Sequence, residues 1–412
     1  MSLISYLLEY NRYCNFAGIA AILFIAYLFS QHRSRVDFKL VIYGLLMQFA
    51  IGFFVLRTGI GQYCVTALAN GVQKLYLFAD EGSRFVFGSL VDPAAGPWGF
   101  LFAIKVLPVI IFFGAFMALL FHFGIVQRIV MVISYVVRPL LGTSGAETLC
   151  AISNSFLGQT EAPLLIRHYL KHMTKSEILV VMVSGMGTIS GAILVVFVAM
   201  GVPAVPLLTA SMMAIPSTLL IAKILYPETE KSDAKEMVEV DLSSASSNVF
   251  DAISSGTSDG LQLALNVGAM LISFIALLAF LNAILMGVGS LFGWDITLSK
   301  LFSFVFSPFG YLMGFDSDEA MVIGELIGVK VAVNEMVAYG DMLSKGLSER
   351  TINILTYALC GFSNFSCIGI QIGGIGALAP EKRKWLTELG LYAVLGGTLS
   401  NLLSAMMAGL LL

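Results

Sequence analysis

Charged residues are scarce in this chain. Asp, Glu, Lys and Arg make up 12% of its 412 residues, against 58% hydrophobic residues that include 30 Phe. That ratio leaves far more apolar surface than one water-soluble core can cover, so lipid must solvate it. Excess positive charge is missing too. A formal net charge of -3 offers no basic face to a phosphate backbone and excludes nucleic acid as a partner. The five cysteines, Cys14, Cys64, Cys150, Cys360 and Cys367, form no C-x-x-C pair and lie mostly in apolar surroundings, the pattern of packing residues. The four histidines show no metal-ligand spacing. No enzyme is expected, because Cys367 and Ser366 have no activating base placed beside them in sequence, and no cofactor is expected either. What remains is an all-α polytopic membrane protein, multi-pass in a cell's inner (plasma) membrane.

Long apolar runs are what the chain has in abundance. A spanning helix needs about 20 apolar residues, and such runs lie near 14–30, 40–57, 99–123, 178–201, 207–226, 262–292, 352–377 and 389–412, eight candidate spans. The first has no small-residue cleavage site after it and reads as a retained helix. Arg33, Arg35 and Lys39 place the first connection in the cytoplasm and the N-terminus outside. Counting onward, Arg128 and Arg138 are inside, and so is the cluster Arg167, His168, Lys171, His172 and Lys175. The apolar segment 140–165 between them must therefore dip in and return. By the same parity, Asp316–Ser344 starts and ends outside, because Lys382, Arg383 and Lys384 follow the seventh span. Two re-entrant hairpins thus enter from opposite faces, each followed by two spans, an inverted repeat of the kind secondary transporters use.

The boundaries follow: 1–140 holds three spans and an interfacial amphipathic stretch at Gly61–Asp92, 141–226 the first hairpin and spans four and five, and 227–250 a charged cytoplasmic linker. The sixth span occupies 251–295, and the second hairpin with spans seven and eight 296–412. Phe302–Phe315 reads as interfacial, with Pro308 and Gly310 against a straight helix. Lys105 is expected to snorkel to the outer interface, Glu325 to pair with Lys330, and Glu147 and His122 to serve structure.

Each hairpin carries an acid, Glu161 in Gly158-Gln159-Thr160-Glu161-Ala162-Pro163 and Glu335 in Asn334-Glu335. Acids at bilayer depth mark substrate or ion paths by default. Small polar clusters at Ser184–Gly191 and Cys360–Cys367 interrupt the fourth and seventh spans. In membrane helices such residues often serve close packing, but unwound backbone at this depth is tolerated only where it is buried in protein or lines a cavity. Gln159, Thr160, Glu161, Glu335 and Asn364 supply many hydrogen-bonding groups and no cation. A neutral polyhydroxyl or heterocyclic solute fits, and a nucleoside has both parts. Asn154, Thr188 and carbonyls freed at the breaks suit a monovalent cation. Bonds that only tie the hairpin to the helix fit that spacing equally well.

At these residues the chain resembles the concentrative nucleoside transporters, from about Phe85 to the C-terminus. The strings are Gly158–Pro163, Leu261–Leu271, Asn334–Tyr339 and Leu359–Asn364. The resemblance implies sodium-coupled nucleoside import by a homotrimer. Its scaffold would comprise spans one, two, three and six, and its mobile, elevator-like transport domain the hairpins and remaining spans. It also implies that Gln159, Thr160 and Glu161, with Ile193 nearby, face the base, and that Glu335 and Asn364 hold the ribose beside Phe362. Asn154, Thr188 and the carbonyls of Leu157 and Ile189 would bind sodium. Cys367 stands where sodium-dependent members carry a ribose-contacting Ser, and Thr188 stands where they carry a Ser in the ion site. Proton-coupled bacterial members tend to read Gln-Ser-Glu-Asn-Phe at the first hairpin. Proton coupling, or carriage of another neutral polar solute, is the alternative.

Overall fold

The structure, a computed structural model, describes residues 3–92, 94–230, 246–294 and 296–412. The linker charges Lys231, Asp233, Lys235, Glu236, Glu239 and Asp241 lie outside the described residues.

The described chain is helical and contains no strand. In order it forms α1 (Leu3–Leu8), α2 (Tyr13–Leu28), α3 (Phe38–Arg57), α4 (Gly59–Phe87), α5 (Phe102–Lys105), α6 (Leu107–His122) and α7 (Ile125–Leu141). Then come α8 (Gly145–Asn154), α9 (Ala162–Leu165), α10 (Arg167–Leu170), α11 (Lys175–Gly187), α12 (Gly191–Met200), α13 (Ala204–Leu225) and α14 (Val249–Ser290). The rest are α15 (Leu298–Leu312), α16 (Ser317–Ala332), α17 (Glu335–Ser344), α18 (Glu349–Leu359), α19 (Phe365–Leu378) and α20 (Arg383–Leu411). Among the described residues, six segments are long and apolar enough to cross a membrane, and the bent pair of Ile4–Asn11 and Tyr13–Leu28 brings the number to seven. The seventh expected span, 352–377, is split into α18 and α19.

Polar contacts fix the direction of each hairpin. Lys223 near the end of α13 pairs with Glu147 at the start of α8 (2.8 Å) and donates to Ser176 at the start of α11 (3.0 Å). Deeper in, Asn154 at the end of α8 donates to Ser184 in α11 at 2.9 Å. Helices α8 and α11 therefore run the same way, and the chain between them, through α9 and α10, has come back. The second hairpin repeats this arrangement: Thr351 of α18 donates to Glu319 of α16 at 2.8 Å, and Lys330 near the end of α16 donates to the Ala358 carbonyl of α18 at 2.9 Å. Helix α20 relates the two. Beside its start, Lys382 reaches the Met173 carbonyl near the start of α11 (2.9 Å), while at its end the Leu412 carbonyl accepts from Arg12 (2.9 Å). Arg350 at the start of α18 lies over Tyr10, two residues from Arg12. The hairpins thus open at opposite ends of α20, as expected of an inverted repeat.

Close packing comes through small residues. Gly114 on α6 meets Gly256 and Gly260 on α14, with backbone against backbone. Gly18 on α2 admits Met406 of α20, and Gly44 and Gly52 on α3 admit Leu220 and Met213 of α13. Gln48 donates to Ser404 of α20 at 2.9 Å. The first two spans, expected to belong with the scaffold, therefore make close contacts with α13 and α20.

Several local expectations change. Helix α15 continues through Pro308, because Gly310, Gly324 and Gly328 let α15 and α16 pack tightly enough to hold it, and tertiary contact outweighs the local cost. An amphipathic helix, α7, follows the third span, bracketed by Gly124 and Gly142, both in the left-handed conformation at φ +67. The sequence reading did not separate it. Lys105 pairs with Asp80 of α4 at 2.6 Å and does not snorkel, because a carboxylate is within reach. Lys330 does not pair with Glu325, which bonds Lys345 instead (2.9 Å), because α16 turns the two side chains to different faces. Glu147 pairs structurally, with Lys223.

Candidate functional site

Each hairpin tip abuts a break in a span, and the breaks share one construction. Helix α11 stops at Gly187, Thr188 is extended (φ -120, ψ 171), and Ser190 starts α12 by accepting from the Ile193 N–H. Helix α18 stops at Leu359, and Asn364 starts α19 by accepting from the Cys367 N–H at 3.1 Å. Asn334 starts α17 in the same way, through the Val337 N–H at 2.9 Å, and puts Glu335 in its first turn. Three helix N-termini are thus capped by side chains and leave first-turn donors near the breaks.

The two breaks touch. Gly361 adopts φ +143, and a Cβ there would stand 2.6 Å from Asn401 Oδ1 and 2.9 Å from the Gly187 carbonyl oxygen, so only glycine fits this crossing. The first hairpin docks on the fourth-span break through the Gly191 N–H, which donates to the Phe156 carbonyl at 2.9 Å.

A continuous set of hydrogen bonds links both hairpins through the seventh span. Gln159 Nε2 donates to Cys367 Sγ (3.3 Å), the Cys367 N–H donates to Asn364 Oδ1 (3.1 Å), and Asn364 Nδ2 donates to Glu335 Oε2 (3.2 Å). Ser366 Oγ also donates to Asn364 Oδ1, at 2.7 Å. Gln159, Glu335, Asn364 and Cys367 are all buried, and Ile193 on α12 is buried as well. Phe362 is half-buried in the seventh-span break. Thr160 and Glu161 are exposed at the first hairpin tip. Thr160 packs on Gly374 of α19, and Glu161 is within electrostatic reach of Asp259 on α14.

The expected ion ligands gather at the fourth-span break. Asn154, Leu157, Thr188 and Ile189 are all buried. Asn154 and Thr188 share Ser184: its Oγ accepts from Asn154 Nδ2, and its carbonyl accepts from Thr188 Oγ1 at 2.7 Å. Asn154 Oδ1 is buried without a hydrogen-bond partner among the described residues. A buried, orphaned carbonyl oxygen is costly and fits a cation. No group of three or more His, Cys, Asp or Glu able to hold a metal occurs among the described residues, so the donors are neutral oxygens that match a monovalent ion better than a divalent one.

The sequence reading missed Ser184 as a bridge, Gln371 beside Gln159, and the pair of Lys330 and Asn401. Gln371 did carry a signal, since it stands one helical turn beyond Cys367 and shares its face. Lys330 and Asn401 gave none, because nothing local joins α16 to α20.

Residues 17–90 match the family profile described as Na+ dependent nucleoside transporter N-terminus, and 206–409 match that for the C-terminus. Residues 103–204 match Gate, a nucleoside recognition profile. Nucleoside permease NupC of Helicobacter pylori is 39% identical over 95% of this chain and 96% of its own length. Sodium/nucleoside cotransporter 2 of Rattus norvegicus is 38% identical over 96% of this chain and 62% of that longer protein. A solved structure of CNTnw, in an inward-facing substrate-bound state, has a TM-score of 0.92 at 40% identity and covers 97% of each chain. With its paired hairpins, its two touching breaks and these relatives, the chain belongs to the concentrative nucleoside transporter family.

Proposed function

We propose that this protein imports nucleosides by sodium symport. The carrying observation is the hydrogen-bonded path Gln159–Cys367–Asn364–Glu335, which puts groups from both hairpins and one span break on a single buried surface. Gln159, Thr160 and Glu161, near Ile193, would face the base. Glu335 and Asn364 would grip the ribose diol beside Phe362. Cys367 would act there as a weak partner, because a thiol hydrogen-bonds less well than the hydroxyl it replaces. Sodium, carried as co-substrate, would lie among Asn154, Thr188 and the carbonyls of Leu157 and Ile189. Filling that site would satisfy the orphaned Asn154 oxygen and hold the first hairpin against the fourth span. In this reading the substrate site is completed only once the ion is bound.

Transport would proceed by an elevator-like displacement of the hairpins with α11–α13 and α18–α20 against α6 and α14. Helix α14 exposes Leu261, Leu265, Ile272, Ile275, Phe280 and Ile284, an apolar surface suited to lipid and to the neighbouring copies of a homotrimer in the inner membrane.

Purified protein in liposomes should accumulate labelled uridine when sodium is high outside and not when choline replaces it. Uptake that follows a proton gradient instead would change the coupling ion, and uptake of sugars or free bases in place of nucleosides would change the substrate. Thr188→Val should raise the sodium concentration for half-maximal uptake about tenfold, equivalent to losing one oxygen ligand worth roughly 1.4 kcal/mol, while Thr188→Ser stays near wild type. A sodium titration of both variants decides this, and an unchanged Thr188→Val removes that hydroxyl from the ion site.

A further inference from the structure

Gln371 lies on α19 and is fully buried. Its Nε2 donates to the Met182 carbonyl of α11 at 3.0 Å and to Gln159 Oε1 at 3.1 Å. A backbone carbonyl can only accept, so the Gln371 amide has one workable orientation, with its NH2 toward Met182. The second hydrogen of that NH2 points to Gln159, and the atom that receives it must be an acceptor. The carbonyl of Gln159 therefore faces Gln371, and its own NH2 faces the other way, 3.3 Å from Cys367 Sγ. The orientation of a glutamine amide is ordinarily ambiguous; here a main-chain oxygen two residues removed in the network fixes it.

Packing and polarity both tie Gln371 to Gln159. A Cβ on Gly185 would stand 2.8 Å from Gln159 Cβ and 2.8 Å from Gln371 Nε2, so the two amides meet only over a glycine. Gln371 Oε1 is itself buried without a hydrogen-bond partner among the described residues. A leucine would fill the same space without that cost, so the amide is not what packing alone would select.

We propose that Gln371 is a positioning residue that sets base specificity. By holding Gln159 with its N–H donors toward the ligand, it makes the site select nucleosides whose base presents a hydrogen-bond acceptor at that point. The proposal rests on the nucleoside reading above. Uracil and cytosine test it, because their edges exchange C=O and N–H for C–NH2 and bare N while size and ribose stay constant.

The experiment measures inhibition of labelled nucleoside uptake by uridine, by cytidine and by 2′,3′-dideoxyuridine, in liposomes holding the wild type, Gln371→Leu or Gln159→Glu. The wild type should separate uridine from cytidine by about tenfold, the discrimination expected of a directed polar contact. Gln371→Leu frees the Gln159 amide to turn over and should bring the two within about twofold, with the penalty for the dideoxy sugar unchanged. Gln159→Glu keeps an oxygen toward Gln371 and puts an oxygen where the NH2 was, so the preference should invert. A Gln371→Leu protein that keeps the wild-type ratio overturns the proposal. So does loss of base and sugar discrimination together, a wild type that does not distinguish the two bases, or loss of all uptake by both variants. A wild type that takes up no nucleoside under either gradient instead defeats the underlying nucleoside reading.

Discussion

Replacing Glu335 by glutamine should lower uridine uptake about 100-fold while the protein remains folded. Glu335 is buried and its Oε2 accepts from Asn364 Nδ2 at 3.2 Å. A carboxylate offers only acceptors, so after that bond it still has lone pairs for both hydroxyls of a vicinal diol. Glutamine has one acceptor oxygen. If that oxygen stays with Asn364, an NH2 faces the diol and one hydroxyl loses its acceptor; if it turns to the diol, two NH2 groups confront each other. Either way charge-assisted bonds are lost, each worth roughly 1.5–3 kcal/mol, and 100-fold corresponds to about 2.7 kcal/mol. Competition with 2′,3′-dideoxyuridine tests the assignment to the sugar. The wild type should reject the dideoxy compound strongly, and the variant should bind uridine and dideoxyuridine alike. Normal uptake by Glu335→Gln would remove this carboxylate from the site.

The residues that revealed themselves in sequence did so through local contrast. Glu161 and Glu335 stood out because acids are rare in apolar runs, and the basic clusters around Arg167 and Lys382 forced both hairpins to return to the side they entered from. Helix breaks were legible for the same reason, as Ser184–Gly191 and Cys360–Cys367 are too polar and too small for an uninterrupted span. What stayed hidden depends on distance along the chain. Pro308 looked like a helix breaker because two of the glycines that hold α15, Gly324 and Gly328, lie on α16, up to 20 residues away. Lys105 looked like a snorkelling lysine because its partner, Asp80, lies in another element. Helix α7 gave little signal, because its turn residues, Gly124 and Gly142, are single glycines with no other mark. The joining of Gln159 to Gln371 spans 212 positions, beyond any periodicity.

Lys330→Met should cost both stability and transport, although Lys330 touches no group assigned to the substrate or the ion. The lysine is completely buried, and its Nζ donates to the Ala358 carbonyl at 2.9 Å and to Asn401 Oδ1 at 2.6 Å. Asn401 in turn donates through Nδ2 to the Gly187 carbonyl at 2.7 Å. Ala358 and Gly187 are among the last residues before the two breaks, whose carbonyls have lost their helical donors. One ammonium and one amide therefore close the ends of two half-helices and clamp the second hairpin across them. Methionine fills the volume of the lysine stem, leaves the Ala358 carbonyl buried without that donor and leaves the Asn401 oxygen only the longer bond from Ser363 Oγ at 3.4 Å, a loss of roughly 2–4 kcal/mol. The thermal midpoint in detergent should fall by roughly 3–5 °C. Uptake should fall at least about tenfold, because a shift of even 1 Å at a binding constellation is felt that strongly. Lys345→Met is the control. Its bond to Glu325 is partly exposed, with side-chain exposures of 28% and 20%, and pairs of that kind contribute about 0–1 kcal/mol, so the midpoint should move by less than about 1 °C. If Lys330→Met melts and transports as the wild type does, the packing of Gly187 against Gly361 and the Asn401 bond suffice to hold the two breaks together, and the buried ammonium is dispensable.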